Sequence, residues 1–373
     1  MNILLLLTDG YGSLGGISQF NRDFMAALNA SMAVNRVQAL PRLIPNEIKG
    51  AIPEAIVYDR SASGSKTRFT WHAIEHAWTP VAPDLLICGH INLLPVAYFV
   101  ARLCGARLAL IMHGIDVWRP TSDPLTNRLA RSVDAYLSVS SLTADRFVRW
   151  SQASPDRMSI LPNCINLDRF TPRPPDNTLI ARYNLHGFRV IATLGRLAPK
   201  ERYKGFDEVL EVMPKLVDRF PKVKYLIIGD GEDRSRLTAK AASLGIAQNV
   251  VFTGRIPEEE KVSHYSLMDA YVMPSSGEGF GIVLLEAAAC GIAVIGSNAD
   301  GSREALMEGQ LGMLVDPHKP DELTAAILRT LERSTPRMRP SGIETFGIDQ
   351  FQLRVDRWLW RQEAAIRAKR EAA

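Results

Sequence analysis

Ser275-Ser276-Gly277-Glu278-Gly279-Phe280-Gly281-Ile282-Val283-Leu284-Leu285-Glu286 decides how this chain is read. A glycine-rich turn runs directly into an apolar helix. The turn leaves backbone N–H groups open, and a helix N-terminus carries about half a positive charge, so an anion is stabilised there. Glu278 lies in the turn and Glu286 one to two turns into the helix. Backbone amides can then hold a phosphate while two carboxylates accept hydrogen bonds from two sets of hydroxyls. That equipment suits a nucleotide-activated sugar. The bland alternative is a helix entry with two solvated acids, and the upstream sequence argues against it.

Upstream stands Gly195-Arg196-Leu197-Ala198-Pro199-Lys200-Glu201-Arg202-Tyr203-Lys204-Gly205. It follows the apolar strand pattern Val190–Leu194 and precedes a helical pattern from Phe206 to about Phe220. Arg196 and Lys204 therefore lie on a loop at the carboxyl end of a strand, where open α/β sheets bind ligands. Arg196 can grip a diphosphate with parallel N–H bonds, and Lys204 adds a point charge. A solvated basic loop is the competing reading, and the glutamate pair tips the balance toward phosphate.

Strand and helix patterns alternate along the whole chain. Ile3–Leu7, Arg36–Leu40, 85–89, 108–112 and 135–140 read as strands of one sheet, and Ser18–Leu28 as a helix. Proline, glycine and serine break any period between residues 42 and 70. Thr171-Pro172-Arg173-Pro174-Pro175 reads as a linker, after which the alternation restarts through Val190–Leu194, Val223–Ile228, Val250–Phe252, Ala270–Met273, Ala293–Ile295 and Gly312–Val315. The fold class is α/β, with two facing Rossmann-like domains and the site in the cleft between them. The domain ranges are 1–170, 171–345 and a terminal helix over 346–373. That helix should bury Phe351, Leu353, Val355, Trp358, Leu359 and Trp360 on one side.

The Arg196…Lys204 loop, the Glu278/Glu286 pair and Leu161-Pro162-Asn163-Cys164-Ile165-Asn166-Leu167-Asp168-Arg169-Phe170 resemble the retaining glycosyltransferases of family 4 (glycosyl transferases group 1). The resemblance implies the GT-B fold, with parallel sheets and a last helix crossing back to the N-terminal domain. It implies a hexose moved from a nucleotide-diphosphate sugar to a hydroxyl of a glycan or lipid-linked acceptor, with retention. By the same resemblance His113, in His113-Gly114-Ile115-Asp116, contacts the transferred sugar; Asp116, three residues on, is placed to orient it or to meet acceptor hydroxyls. Glu278 then holds the donor sugar and Glu286 the ribose. The amides at Gly281, Ile282 and Val283 receive the diphosphate opposite Arg196 and Lys204. The base lies near Arg255 and Ile256, after Val250–Gly254. Fixed cations and N–H dipoles can stabilise the leaving group without a metal, so neither metal nor cofactor is expected. Hydrolysis, phosphorolysis or epimerisation of the nucleotide sugar, or non-catalytic sensing of it, stay open at this level.

Gly10-Tyr11-Gly12-Ser13-Leu14-Gly15 also matches the dinucleotide fingerprint. The expected ribose-binding acid is missing, because the next strand ends Leu40-Pro41-Arg42. The competing reading is a mobile loop whose Gly15 and Gly16 amides approach a phosphate or the acceptor. Asn163 reads as a turn residue.

The 373 residues allow two cores, and a charged content of 23% marks a globular chain. A net charge of +4 gives no case for nucleic acid. The four cysteines lack paired spacing and the seven histidines show no zinc pattern. The N-terminal apolar run is short and lacks a basic lead, so it reads as a first strand rather than a signal peptide. A cytoplasmic location is expected. Arg128, Arg131, Arg146 and Arg149 offer a face for anionic lipid, or are simply solvated.

Overall fold

The computed structural model describes all residues except Leu14, Lys49, Pro80, 334–336 and Ala373. The chain forms two compact units, Met1–Cys164 with Ile348–Ala373, and Ile165–Gly347. Residues 165–170 belong to the second unit because the Ile165 N–H donates to the Phe346 carbonyl at 2.8 Å and Ile165 bridges to Gly347.

The first unit holds seven parallel strands: β1 (Asn2–Leu7), β2 (Arg36–Pro41), β3 (Ile56–Tyr58), β4 (Leu85–Cys88), β5 (Arg107–Met112), β6 (Ala135–Ser138) and β7 (Met158–Ile160). Their order is β3-β2-β1-β4-β5-β6-β7. β1, β4 and β5 are almost uniformly buried, as expected of strands covered by helices on both faces. β3 and β7 are three-residue edge strands, too short to show a period in the sequence. The stretch that resisted reading contains β3 and the start of a helix, Lys66–Ala77. Ser65 caps that helix by accepting from the Arg68 N–H at 3.1 Å.

The second unit holds β8 (Arg189–Leu194), β9 (Val223–Ile228), β10 (Val250–Gly254), β11 (Ala270–Met273), β12 (Ala293–Ser297) and β13 (Met313–Val315). Their order is β10-β9-β8-β11-β12-β13, again all parallel. Each sheet reverses its strand order once, between β1 and β4 and between β8 and β11. Loops at the carboxyl ends of strands flanking such a switch point diverge and leave a crevice. The Arg196 loop follows β8, and the turn holding Glu278 follows β11.

The last helix, Ile348–Glu371, belongs to the first unit and packs on the helix Gly16–Ala30. Phe351 meets Phe20 edge to face at 5.8 Å, and Trp358 meets Phe24 at 6.3 Å. Two expected core residues are not core: Leu353 is 46% and Trp360 51% exposed. The helical period selects Phe351, Val355, Trp358, Leu359, Gln362 and Ile366 instead. Gln362 tolerates burial because its carbonyl accepts from Arg107 Nε at 2.8 Å.

Candidate active site

In the second unit, β8 ends at Leu194 and the chain passes through Arg196 into a 3₁₀ segment, Pro199–Lys204. The loop after β9 is laid directly against it. Leu197 N–H donates to the Asp230 carbonyl and Asp233 N–H to the Leu197 carbonyl, both at 3.1 Å. Gly229 and Gly231 are required there, since a Cβ on either would overlap the Gly195 or Leu197 carbonyl. The Asp230–Asp233 run is thus a buttress for the Arg196 loop.

The loop also meets the turn after β11. Tyr203 lies over Gly277, where a Cβ would come within 2.6 Å of the ring, and the Ser276 N–H donates to the Tyr203 carbonyl at 2.8 Å. The structure thereby gathers three of the expected residues. Lys204 Nζ lies 3.8 Å from the Glu278 carboxylate and 3.7 Å from Glu201, and Glu201 also pairs with Arg196. Arg196 remains 70% exposed, so its guanidinium is available to an incoming anion. Glu201, given no role in the sequence reading, pairs with both cations.

Asp300 is the second residue the sequence reading missed. Its carboxylate accepts from the Glu278 N–H at 2.8 Å and the Ser302 N–H at 3.0 Å. Burial pushes its pKa up to about 6. It fixes the turn that presents Glu278; the only sequence signal was an Asp-Gly-Ser run just after β12. Gly281 then adopts the left-handed region (φ +93°) and caps the helix Ile282–Ala289 without any side-chain hydrogen bond. Ile282 and Val283 occupy the first helical turn, where amide N–H groups point along the axis.

Glu286 is buried on that helix. One oxygen accepts from Lys261 at 2.9 Å; the other accepts from Lys261 at 3.2 Å and from the Tyr265 hydroxyl at 2.7 Å. Desolvation opposes the Lys261 charge, yet Glu286 and Glu258 beside it raise its pKa overall. A carboxylate has about four lone-pair sites, so these three bonds leave one for a ligand hydroxyl. Arg255 is exposed and Ile256 half-buried after β10, an edge strand two positions from the switch point.

In the first unit His113 follows β5 and faces the neighbouring strand end, where its Nε2 lies 2.9 Å from the Gly89 carbonyl. The ring packs edge to face on Phe20 at 5.2 Å. Burial pulls its pKa down to about 4, so the group is a neutral imidazole that donates from Nε2. Nδ1 keeps its lone pair. Asp116 is pushed up to about 7 by burial, and His90 is pulled down to about 4 by the same cause. Their side chains come within 3.9 Å, too far for a hydrogen bond, and Asp116 Oδ2 has no partner among the described residues. Asn163 is buried and its Oδ1 is likewise unpartnered.

The glycine loop after β1 differs from expectation. Gly10 and Gly12 are buried, and their N–H groups donate to one Asp9 oxygen at 2.6 and 3.1 Å. A Cβ on Gly10 would come within 2.9 Å of Met25, and one on Gly12 within 2.9 Å of Ile44. These two glycines make room for packing rather than for motion. Gly15 and Gly16 are exposed with open space around them. Leu14, inside the nominal fingerprint, lies outside the described residues.

His72 and His76 converge with Asp59, so two of the seven histidines cluster with an acid. Their spacing of four residues on one helix was the signal.

Comparison with known proteins settles the class. The family model described as Glycosyltransferase Family 4 matches residues 15–169, and that described as Glycosyl transferases group 1 matches residues 178–342. A GDP-mannose-dependent alpha-(1-6)-phosphatidylinositol monomannoside mannosyltransferase of Mycolicibacterium smegmatis is 32% identical over 327 residues, covering 84% of this chain and 79% of the relative. A GDP-mannose-dependent monoacylated alpha-(1-6)-phosphatidylinositol monomannoside mannosyltransferase of Corynebacterium glutamicum is 28% identical and covers 88% of each chain. Among solved structures, the sucrose-phosphate synthase of Thermosynechococcus elongatus superposes with a TM-score of 0.78 at 20% identity, covering 98% of this chain and all of that one. Anabaena HepE, solved with UDP and glucose, gives 0.75 at 18%, covering 96% and 98%. The fold is GT-B, and the chain belongs to the group 1 and family 4 glycosyltransferases. It is a glycosyltransferase.

Proposed function

We propose that this enzyme transfers mannose from GDP-mannose to a phosphatidylinositol mannoside-like lipid acceptor, with retention and without a metal. The mannosyltransferase relatives support the donor and acceptor. The observation that carries the site assignment is the convergence of Arg196, Lys204 and Glu278 beside the uncapped helix end at Gly281. Arg196, Lys204 and the amides of Gly281, Ile282 and Val283 hold the diphosphate, stabilising the charge that grows as the sugar–phosphate bond breaks. Displacing Glu201 frees both cations for this. Glu278 accepts from sugar hydroxyls, Glu286 from the ribose, and the backbone at Arg255 and Ile256 meets the base. His113, neutral, hydrogen-bonds the transferred sugar. The acceptor oxygen bonds to the anomeric carbon on the face that the phosphate leaves, and its proton passes to the departing phosphate oxygen. Gly15, extended and open, and Gly16, the exposed first residue of its helix, offer amides suited to an anion.

Contact with a membrane surface belongs to the same proposal. No helix among the described residues is long and apolar enough to cross a membrane. Trp71 and Trp78 are 68% and 72% exposed on and just after the helix Lys66–Ala77. They stand seven positions apart, about two helical turns, so they share a face that Arg68 flanks. Tryptophan with basic neighbours suits the headgroup region. Arg128, Arg131 and Arg149 are exposed as a basic face would require, whereas Arg146 is stacked on Trp118 at 3.8 Å.

The test is transfer from radiolabelled GDP-mannose, UDP-glucose and UDP-galactose to phosphatidylinositol mannoside in vesicles, with and without excess chelator. Mannolipid formed only from GDP-mannose, at a rate unchanged by chelator, is the expected result. Transfer from a uridine donor alone, or activity abolished by chelator and restored by manganese, would overturn it.

A further inference from the structure

Asp59 lies just after β3, ahead of a short 3₁₀ turn, Arg60–Ala62, and His72 and His76 lie on the helix Lys66–Ala77. One ligand atom from each falls within 4.8 Å of the others. Asp59 Oδ2 is 3.1 Å from His76 Nε2 and 3.5 Å from His72 Nδ1. Ligands about 2.0–2.1 Å from a tetrahedral ion stand roughly 3.4 Å apart, so these two separations match edges of such a tetrahedron. The side chains are 19%, 22% and 14% exposed for Asp59, His72 and His76, leaving the site partly open.

Hydrogen bonding alone accounts poorly for this cluster. His76 Nε2 lies 3.0 Å from Gln38 Nε2 as well as 3.1 Å from Asp59 Oδ2. A single ring nitrogen either donates or accepts, so it cannot donate to the carboxylate and accept from the amide. Turning the Gln38 amide, whose O and N are assigned rather than observed, sets two oxygens competing for one proton. Lone pairs converging on one point are what a cation resolves. Meanwhile the other Asp59 oxygen is occupied by Ser61, whose N–H donates at 2.9 Å and whose hydroxyl donates at 2.5 Å. This fixes the carboxylate with Oδ2 facing the imidazoles, as second-sphere donors orient metal ligands. Two histidines four residues apart share one helix face, the spacing that lets both reach one ion.

We propose that Asp59, His72 and His76 bind a zinc ion or a similar first-row divalent ion. Two imidazoles and one carboxylate favour such ions over magnesium or calcium. The fourth position falls to water or to the Gln38 amide oxygen. The ion clips the segment after β3 to the helix Lys66–Ala77. It takes no part in the chemistry assigned to Arg196, Lys204 and Glu278, which lie in the other unit.

The experiment is a competition titration of chelator-stripped full-length protein with zinc, using a chromophoric chelator, followed by cobalt loading. One zinc bound per chain, no competition by magnesium, and a cobalt spectrum of tetrahedral intensity are expected. His72→Ala and His76→Ala should each weaken zinc roughly hundredfold and abolish the cobalt band. Asp59→Asn, which keeps the Ser61 contacts, should weaken zinc at least tenfold while the protein stays folded by circular dichroism. Stripping should lower the wild-type unfolding temperature and leave that of His76→Ala unchanged, whereas the thermal shift caused by GDP should survive stripping. Zinc affinity equal in wild type and in the double histidine variant, or a cobalt spectrum of octahedral intensity, would overturn the proposal. Loss of GDP binding on stripping would equally reject a site separate from the donor's.

Discussion

Two glycine-rich turns enter helices in this protein, one after β1 and one after β11, and each is pinned by a buried aspartate. Asp9 accepts from the N–H groups of Gly10 and Gly12 and from the Ser13 hydroxyl. Asp300 accepts from the N–H groups of Glu278 and Ser302. The difference lies in where rigidity stops. In the first turn the anchored part ends near Ser13, and Gly15 and Gly16 stand in open space. In the second, contact continues up to the helix: Gly277 lies under Tyr203, Gly281 is held at positive φ, and the backbone of Gly301 touches that of Gly279. Glycine content alone does not predict which turn is preorganised. The second turn is held in place right up to its helix, and the first leaves a short exposed stretch at Gly15 and Gly16.

The largest effects should come from the cations beside the preorganised turn. Arg196→Ala and Lys204→Ala should each lower kcat roughly 10²–10³-fold with the fold intact, the loss seen when a preset transition-state donor is removed. Initial rates at saturating donor, with circular dichroism as control, decide this; near-normal turnover of both variants would remove the diphosphate from this loop. Next, His113→Ala should lower kcat roughly hundredfold while leaving calorimetric GDP affinity within about twofold. The reverse pattern would place the histidine with the nucleotide.

Third, the two turns should answer differently to one added methyl. Gly301→Ala drives a Cβ into the Gly279–Phe280 backbone and should destabilise the protein by roughly 1–3 kcal/mol. Gly15→Ala meets nothing, at an extended φ open to any residue, and should stay within about 0.5 kcal/mol. Equal denaturation midpoints for the two variants would dissolve the contrast.

The smallest effect is a pH signature of Asp300. Its folded pKa of about 6 lies above the ordinary carboxylate value. Between those values the native state keeps a proton that the unfolded state releases, so this stabilising contribution is full at low pH and lost as pH rises to 6. The stability of wild type relative to Asp300→Asn should therefore fall by on the order of 1 kcal/mol per pH unit across that window and level off above it. The opposite slope would mean that the carboxylate is stabilised as the anion.

Most of the second unit was legible in the sequence. Val223–Ile228 and Ala270–Met273 read as strands because a buried parallel strand is an unbroken apolar run, and both have the expected bounds. The positions of Arg196 and Lys204 after a strand, and of Glu278 and Gly281 before a helix, were legible because the flanking apolar runs mark those ends locally. In the first unit, β3 and β7 were too short for periodicity. The terminal helix read as one apolar side although Leu353 and Trp360 lie off the buried stripe.

The sequence determined which local segments could bind phosphate and hydroxyls, because those properties reside in a few adjacent residues. Tertiary structure decided the rest through long-range burial and pairing. Only packing makes His113 neutral and raises Asp116 and Asp300. Only the sheet order brings the turn after β11 beside the loop after β8, where Glu201 links Arg196 to Lys204. Only the path of the chain after β3 carries Asp59 to His72 and His76. Desolvation and contact between residues distant in sequence are properties of the folded chain, and no local pattern encodes them.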